Sequence, residues 1–219
     1  EIVRGKKSSK VALATGLDLV QRLRKTAIIT ADTTGFVVNR LLARLLGEAM
    51  HAIENGTEYG LVDESVRPLG LPMGPFELLE LVGLQIGAHV LETHHNAFPD
   101  RFFKSQALES LVAHGKIYDR DKNKKITGIS KFAKDLVGSG TGYSLEQLRE
   151  RVYLGLADEV ARMLDEKVVE TAEDIDIAMI LGAGWPFHMG GLTPFLDREG
   201  ASEKVIGRSF HSPAIRGFS

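Results

Sequence analysis

The side chain with the clearest chemical potential is Asn39, in the run Gly35-Phe36-Val37-Val38-Asn39-Arg40-Leu41-Leu42. Asparagine costs roughly 0.5 kcal/mol or more against alanine inside a helix. If its amide is buried without partners, a further penalty of about 1–3 kcal/mol follows. Gly35, four residues earlier, lets another backbone or a ligand approach closely. Two readings are open. The amide is either offered to a polar substrate atom or is a structural group satisfied by a neighbouring carbonyl. Taken alone, the residues favour the structural reading.

Other chemistry-bearing residues give weaker signals. Arg40, Arg44 and Glu48 are spaced four apart and make one polar stripe along an otherwise apolar helix. Arginine binds phosphate well, so a phosphate-bearing ligand is one partner for Arg40 and Arg44. An internal ion-pair network through Glu48 is the better expectation. His89, His94 and His95 share a helix, but adjacent residues do not share a helical face, and no His, Asp or Glu cluster has metal-ligand spacing. No metal site is therefore expected. His188, after Trp185-Pro186-Phe187, is expected to pack at a helix boundary. Lys122, Lys124 and Lys125 form a solvated basic run. A dinucleotide site needs Gly-x-Gly-x-x-Gly between a strand and a helix. Gly138-Ser139-Gly140-Thr141-Gly142 has the wrong spacing and no convincing strand before it, so it is expected to be a flexible linker, and no cofactor-binding residue is assigned.

Helices must position these groups. Ser8 or Ser9 can cap a first helix carrying Leu13, Leu17 and Val20 on one face and ending near Lys25. Thr26-Ala27-Ile28-Ile29-Thr30 is short and β-branched, the best strand candidate, and no obvious partner strand is found. Its sheet is therefore expected to lie in a missing segment. A long apolar helix over 36–54 suits the centre of a bundle. Shorter helices follow over 58–68, 75–83 and 84–96, with Pro75 just inside the start of one. Residues 116–142 are charged and then glycine-rich, a linker or irregular insertion. Ser144 with Gln147 makes a capping box for a second long helix over 145–166.

That second helix repeats the first. At an offset of 111 residues Arg40 matches Arg151, Glu48 matches Glu159, Ile53 matches Leu164 and Asp63 matches Asp174. One insertion later Leu69-Gly70 matches Leu181-Gly182, and Pro75-Phe76 is echoed by Pro186-Phe187. A duplicated helical unit explains the order and the punctuation, since each copy has an apolar face that the other can cover.

Asp32-Thr33-Thr34-Gly35-Phe36-Val37-Val38-Asn39-Arg40-Leu41 and Leu69-Gly70-Leu71-Pro72-Met73-Gly74-Pro75-Phe76-Glu77-Leu78-Leu79 resemble the two hallmarks of the 3-hydroxyacyl-CoA dehydrogenase family. The similarity covers nearly all of residues 1–100. Residues 143–205 are similar to the diverged second copy of the multifunctional β-oxidation proteins. The fold this implies is all-α, a helical bundle built from two tandem copies of the family's C-terminal domain, with a short leftover strand near residues 26–30. The expected divisions are 1–30, the end of an NAD-binding domain; 31–116, the first copy; 117–142, linker or insertion; and 143–219, the second copy.

The resemblance also implies roles. Asn39 lies near the 3-hydroxy or 3-oxo group of the acyl chain. Glu1-Ile2-Val3 matches the latter half of the family's His-Glu dyad, in which the carboxylate orients an imidazole that takes the hydroxyl proton. The histidine precedes the glutamate by a dozen residues, upstream of Glu1. Against this stands the plain reading of Glu1 as an exposed glutamate with no role. The complete enzyme would oxidise (3S)-3-hydroxyacyl-CoA to 3-oxoacyl-CoA with NAD, which the isolated chain would neither bind nor use. Its partners would be the acyl-CoA substrate, an N-terminal NAD domain and, in the multifunctional form, a hydratase domain and a thiolase subunit.

Composition limits the classes. The 219 residues are 43% hydrophobic and 26% charged, ordinary for a globular chain. A net charge of −2 gives no field to hold nucleic acid or an anionic membrane. No apolar run is long enough for a span. There is no cysteine, hence no disulfide or thiolate chemistry, and a cytoplasmic location is the natural expectation. Glu1-Ile2-Val3-Arg4 is neither a start nor a signal peptide, so the chain is expected to begin inside a longer protein. A non-catalytic helical dimerisation or docking module is the alternative, because single-copy relatives pair two helical domains, which the second copy would imitate about a pseudo-twofold axis. Another NAD-linked hydroxyacid dehydrogenase would need a helix lysine, and none occurs between Lys25 and Lys104.

Overall fold

Ser9 starts the first helix by accepting from the Ala12 N–H at 3.1 Å, and α1 runs Lys10–Arg22. It stops short of Lys25 because Arg24 turns to φ 55, a conformation that ends helices. In this computed structural model, which describes residues 1–212, the chain divides into two compact units. One comprises Glu1–Leu41 with Ala157–Ser219, the other Leu42–Leu156.

In the first unit, β1 (Ile2–Arg4) pairs in parallel with β2 (Ile29–Ala31), Ile2 opposite Ile29. The expected strand therefore sits a little later than 26–30, and the chain itself supplies a partner for it, which three residues of Ile-Val-Arg gave no pattern to announce. A parallel pair needs a crossover, and α1 provides it. The Ala31 N–H donates to Val168 O at 2.7 Å, so β2 is covered on its other side as well. α1 has no buried residue, and Val11, Leu19 and Leu23 just beyond its end are 75%, 56% and 61% exposed.

The long helices α2 (Val38–Glu54) and α8 (Leu145–Asp165) cross the unit boundary. In the second unit α3 (Tyr59–Val66), a 3-10 turn at Arg67–Leu69, α4 (Pro75–Val82), α5 (Leu84–Ala97) and α6 (Gln106–His114) enclose a core of Met50, Ile53, Tyr59, Phe76, Leu108 and Leu111.

The stretch read as linker or insertion has regular structure. β3 (Tyr118–Arg120) and β4 (Ile126–Ile129) form an antiparallel hairpin, and α7 (Lys131–Asp135) follows. Asp121 organises the charged turn, its Oδ1 accepting from the Asn123 and Lys125 N–H groups at 2.9 Å each. The glycines after it are close-packed rather than flexible. The Gly138 N–H donates to Ile53 O at 2.9 Å and the Gly142 N–H to Asn55 O at 2.8 Å. A Cβ on Gly138 would fall 1.8 Å from Glu54 O. Glycine is required there by a backbone crossing against the end of α2.

The first unit is completed by α9 (Ala172–Ala183), a 3-10 turn at Phe187–Met189, α10 (Leu192–Arg198) and α11 (Ala201–Ile206). The two copies are recognisable by a shared detail. A Cβ on Gly74, the residue before α4, would meet Asp63 Oδ1 at 2.5 Å, and one on Gly191, before α10, would meet Asp176 Oδ1 at 2.5 Å. Asp63 thus corresponds to Asp176, not Asp174. Asp174 instead belongs to a capping box with Thr171 that starts α9, and the two aspartates are near enough in sequence to be confused.

Candidate active site

The first hallmark makes a strained entry into α2. Gly35 has φ 77 and Phe36 φ 47. A bulky residue in the left-handed region is an outlier of the kind that gathers at functional sites. The Thr33 carbonyl accepts from Phe36 N–H at 3.3 Å, and Gly35 O accepts from Arg40 N–H at 3.2 Å. This turn aims the free N–H groups of α2 at the start of the chain. Glu1 Oε1 accepts from Val37 N–H at 2.8 Å and from Val38 N–H at 3.4 Å. A carboxylate at a helix N-terminus is favoured by the unsatisfied donors and the helix dipole. Glu1 Oε2 makes no hydrogen bond among the described residues.

Glu1 and Asn39 are thereby brought to the same turn of helix, with no direct bond between them. Asn39 is exposed, and its amide bonds no neighbouring carbonyl among the described residues. The structural reading, a buried amide satisfied from within, does not describe it. Beside Glu1, the first unit has a cleft of about 360 Å³ whose apolar wall is Val38, Ile177, Leu181 and Gly182, with Arg24 and Lys25 at its rim.

Arg40, next to Asn39, is fully buried. Its Nε pairs with Glu159, also fully buried, and its Nη2 donates to Glu166 at 2.6 Å. In the second unit Arg44 Nε lies 3.4 Å from Glu48 Oε1 and Arg151 Nη2 donates to Glu48 Oε2 at 2.7 Å. The Arg44–Glu48 pair is the one the spacing suggested, whereas Arg40 pairs with Glu159 and Glu166 rather than through Glu48. Two of these pairs, Arg40 with Glu159 and Arg151 with Glu48, join residues that correspond between the copies.

The second hallmark lies in the second unit. Gly70 closes the 3-10 turn at φ 66, and Pro75 takes the first position of α4, where its missing N–H costs nothing. Asp63 packs behind Gly74. Burial, opposed by a 3.1 Å hydrogen bond from Tyr118 Oη, pushes its carboxyl up to about 6. Its Oδ1 has no hydrogen-bond partner among the described residues. Glu80, on the outer part of α4, accepts from Ile117 N–H at 2.5 Å and Tyr118 N–H at 2.8 Å, and its Oε2 accepts from Arg120 at 3.0 Å. Burial works to raise its carboxyl, but these donors outweigh it and hold the group below the usual carboxylate range. The sequence reading used Asp63 only to align the repeat and overlooked Glu80. The signal available was the presence of Asp and Glu inside apolar runs.

The remaining histidines are spread out. His94 is buried with Nδ1 2.7 Å from Val90 O, and His95 Nδ1 is 2.8 Å from Phe102 O. His188, expected to pack at a helix boundary, is exposed on the short 3-10 turn that Gly190 closes at φ 81. His51 lies against Phe103 and Arg151, and burial followed by the Arg151 charge lowers its pKa. Among the described residues no three His, Asp or Glu side chains could hold a metal ion, and no helix is long and apolar enough to cross a membrane.

Comparison with known proteins agrees with this architecture. Residues 35–127 match the family model of the 3-hydroxyacyl-CoA dehydrogenase C-terminal domain. Over 98% of its length the chain is 30% identical to a fatty acid oxidation complex subunit alpha of Acinetobacter baumannii, of which the match takes up 34%. The protein of the same name from a Psychrobacter species is 30% identical over 97% of this chain and 33% of its own. The chain thus spans a third of the length of these curated relatives. It shares its fold with 3-hydroxybutyryl-CoA dehydrogenase from Escherichia coli K12, at a TM-score of 0.70 and 18% identity, over 98% of this chain and 66% of that one. Residues 35–127 are thus similar to the C-terminal domain of the 3-hydroxyacyl-CoA dehydrogenases.

Proposed function

We propose that this chain is part of an NAD-dependent (3S)-3-hydroxyacyl-CoA dehydrogenase of fatty-acid β-oxidation, located in the cytoplasm, and supplies the substrate-side wall of its cleft. The observation that carries the proposal is the first turn of α2. Glu1 grips its N–H groups through one carboxylate oxygen, the other oxygen remains open to a further donor, and the exposed Asn39 amide follows one residue after Val38. In this reading Asn39 donates to the substrate's 3-oxygen. Glu1 holds an upstream histidine in the tautomer that accepts the hydroxyl proton and stabilises the imidazolium that forms. Because helix donors already fix Glu1, the carboxylate needs no reorganisation as that charge develops.

NAD supplies the hydride acceptor in the complete enzyme. The described residues do not fit it: Gly138, Gly140 and Gly142 are pressed against the end of α2 and leave no cradle for a pyrophosphate. No step through the dinucleotide is assigned to them. The NAD domain, and in the multifunctional form a hydratase domain and a thiolase subunit, are the partners this reading requires.

A second reading, the helical docking module, draws on the ion pairs. Arg40 with Glu159 and Arg151 with Glu48 exchange corresponding residues, as an isologous interface does. The second copy then does within the chain what a partner subunit does elsewhere, and the two readings are compatible in the full-length protein.

The test is Glu1→Gln in the full-length enzyme. The amide oxygen can still cap α2, while the negative charge on the imidazole is lost. The proposal expects kcat to fall on the order of 100-fold or more, with stability lowered by no more than the roughly 0.3–1 kcal/mol of a charge at a helix N-terminus. Near-normal kcat would refute the role of Glu1.

A further inference from the structure

Both copies fasten the chain segment that follows them with the same clasp, built from different side chains. In the second unit, Asp63 sits behind Gly74, Glu80 accepts the successive N–H groups of Ile117 and Tyr118, and the Tyr118 hydroxyl returns to Asp63. In the first unit, Asp176 sits behind Gly191. Asp197, six residues after Gly191 as Glu80 is after Gly74, accepts Phe210 N–H at 2.8 Å and His211 N–H at 3.0 Å. The His211 ring then returns to Asp176, with Nε2 3.4 Å from its Oδ2. His211 thus holds the place of Tyr118.

The substitution changes the chemistry of the clasp. Thr193 N–H and hydroxyl both donate to Asp176, at 2.8 and 2.7 Å. With its proton so committed, the Thr193 oxygen accepts from His211 Nε2 at 2.6 Å, and Nε2 must carry a hydrogen. On the other side of the ring Nδ1 lies 3.4 Å from Glu173 Oε1. A lone pair there would face a carboxylate, whereas an N–H would meet it favourably. His211 is 6% exposed, and Asp176 and Asp197 are 5% and 8% exposed, so two carboxylates are buried around it. Ser202 Oγ donates to Asp197 at 2.5 Å and is neutral. Asp176 and Glu173 come from α9, Asp197 and Thr193 from α10, and Ser202 from α11. Among these groups His211 is the cation.

We propose that His211, held as an imidazolium between Asp176 and Glu173, is a proton-dependent latch fastening the segment after α11 to α9 and α10. Tyr118 does the same mechanical work in the other copy with an uncharged hydroxyl. The side-chain hydrogen bond to Asp176 raises the His211 pKa, burial opposes it, and the charges of Asp176, Glu173 and Asp197 raise it further. A pKa raised on folding means that the latch is fully engaged below the ordinary histidine range and is lost as pH rises through the raised value. Loss of the proton leaves Nδ1 facing Glu173 and removes the only counter-charge named above.

The experiment is hydrogen exchange by mass spectrometry on the full-length protein between pH 6 and 9. Imidazole Cε1 exchange reports the titration of His211, and backbone exchange reports peptides covering Phe210 and His211, corrected for intrinsic rates. His211 should titrate above the ordinary histidine range, and protection of those amides should fall through the same pH range. The fall should be about tenfold for each unit by which the midpoint is raised. Glu173→Gln, a half-exposed change that leaves the strap intact, should move both transitions to lower pH. His211→Tyr, which copies the other clasp, should give protection that does not vary with pH. Protection of the wild type that is flat across the range would overturn the latch, as would a Glu173→Gln profile that coincides with it. An unfastened strap in His211→Tyr at every pH would overturn the equivalence with Tyr118.

Discussion

Asp63→Asn should stabilise the protein, and more so as pH rises. The Asp63 carboxyl is buried behind Gly74 with one oxygen unpartnered among the described residues, and its pKa is pushed from 3.8 up to about 6. A carboxyl raised on folding contributes stability that is complete below the unfolded value and is lost as pH climbs through the folded one. Above pH 6 the ionised group therefore opposes folding. A rise of two pKa units corresponds to about 3 kcal/mol at most, from 1.36 kcal/mol per unit. Solvent at the partly exposed edge and local relaxation reduce this to about 1–2 kcal/mol. Asparagine is nearly isosteric, still accepts the Tyr118 hydroxyl and has no charge to desolvate. Thermal unfolding of wild type and variant at matched pH values isolates the titration, because every other group is common to both. At pH 4 the two should coincide within a few tenths of a kcal/mol. At pH 7.5 the variant should melt higher by several degrees, taking roughly 2–4 °C per kcal/mol for a chain of this size. A difference that is constant with pH, or a wild type that gains on the variant as pH rises, would refute the reasoning.

The remaining expectations concern packing and charge. Gly138→Val places a Cβ 1.8 Å from Glu54 O and should cost about 3 kcal/mol in chemical denaturation. Gly60→Ala, where a Cβ meets nothing within 4 Å, should be neutral or stabilise α3 by up to about 1 kcal/mol. Equal losses at the two positions would show that the glycine-rich stretch is not close-packed. Arg40→Met removes the cation that meets buried Glu159 and should cost about 3–5 kcal/mol. Arg40→Met with Glu159→Leu should recover much of that in a double-mutant cycle, and additive losses would place the two side chains outside one network.

The sequence showed the helices better than the contacts that join them. The boundaries of α2, α4, α5 and α8 could be read because each has either a sustained 3.6-residue apolar stripe or a cap such as Pro75 or Ser144 with Gln147. The β1–β2 pair was hidden, since three-residue strands carry no measurable period. Residues 138–142 were misread for a physical reason: glycine serves equally for freedom and for close backbone contact, and composition does not distinguish the two. The repeat was visible in Arg40 with Arg151 and Glu48 with Glu159, but the aspartate register needed Gly74 and Gly191, whose meaning depends on what lies behind them. At the site, resemblance pointed to Glu1 and Asn39. The hydrogen bonds from Val37 and Val38 that bring Glu1 to the turn of Asn39 are long-range, and no local pattern encodes them.

The central claim is that the first turn of α2 presents Asn39 to a reacting oxygen. Its most direct test is the steady-state oxidation of a 3-hydroxyacyl-CoA by the full-length enzyme carrying Asn39→Ala, with thermal unfolding measured alongside. Because Asn39 is exposed and unbonded among the described residues, stability should be unchanged. Loss of a hydrogen bond to a charge-developing oxygen should lower kcat on the order of 100-fold or more. A folded variant with near-normal turnover would contradict the account.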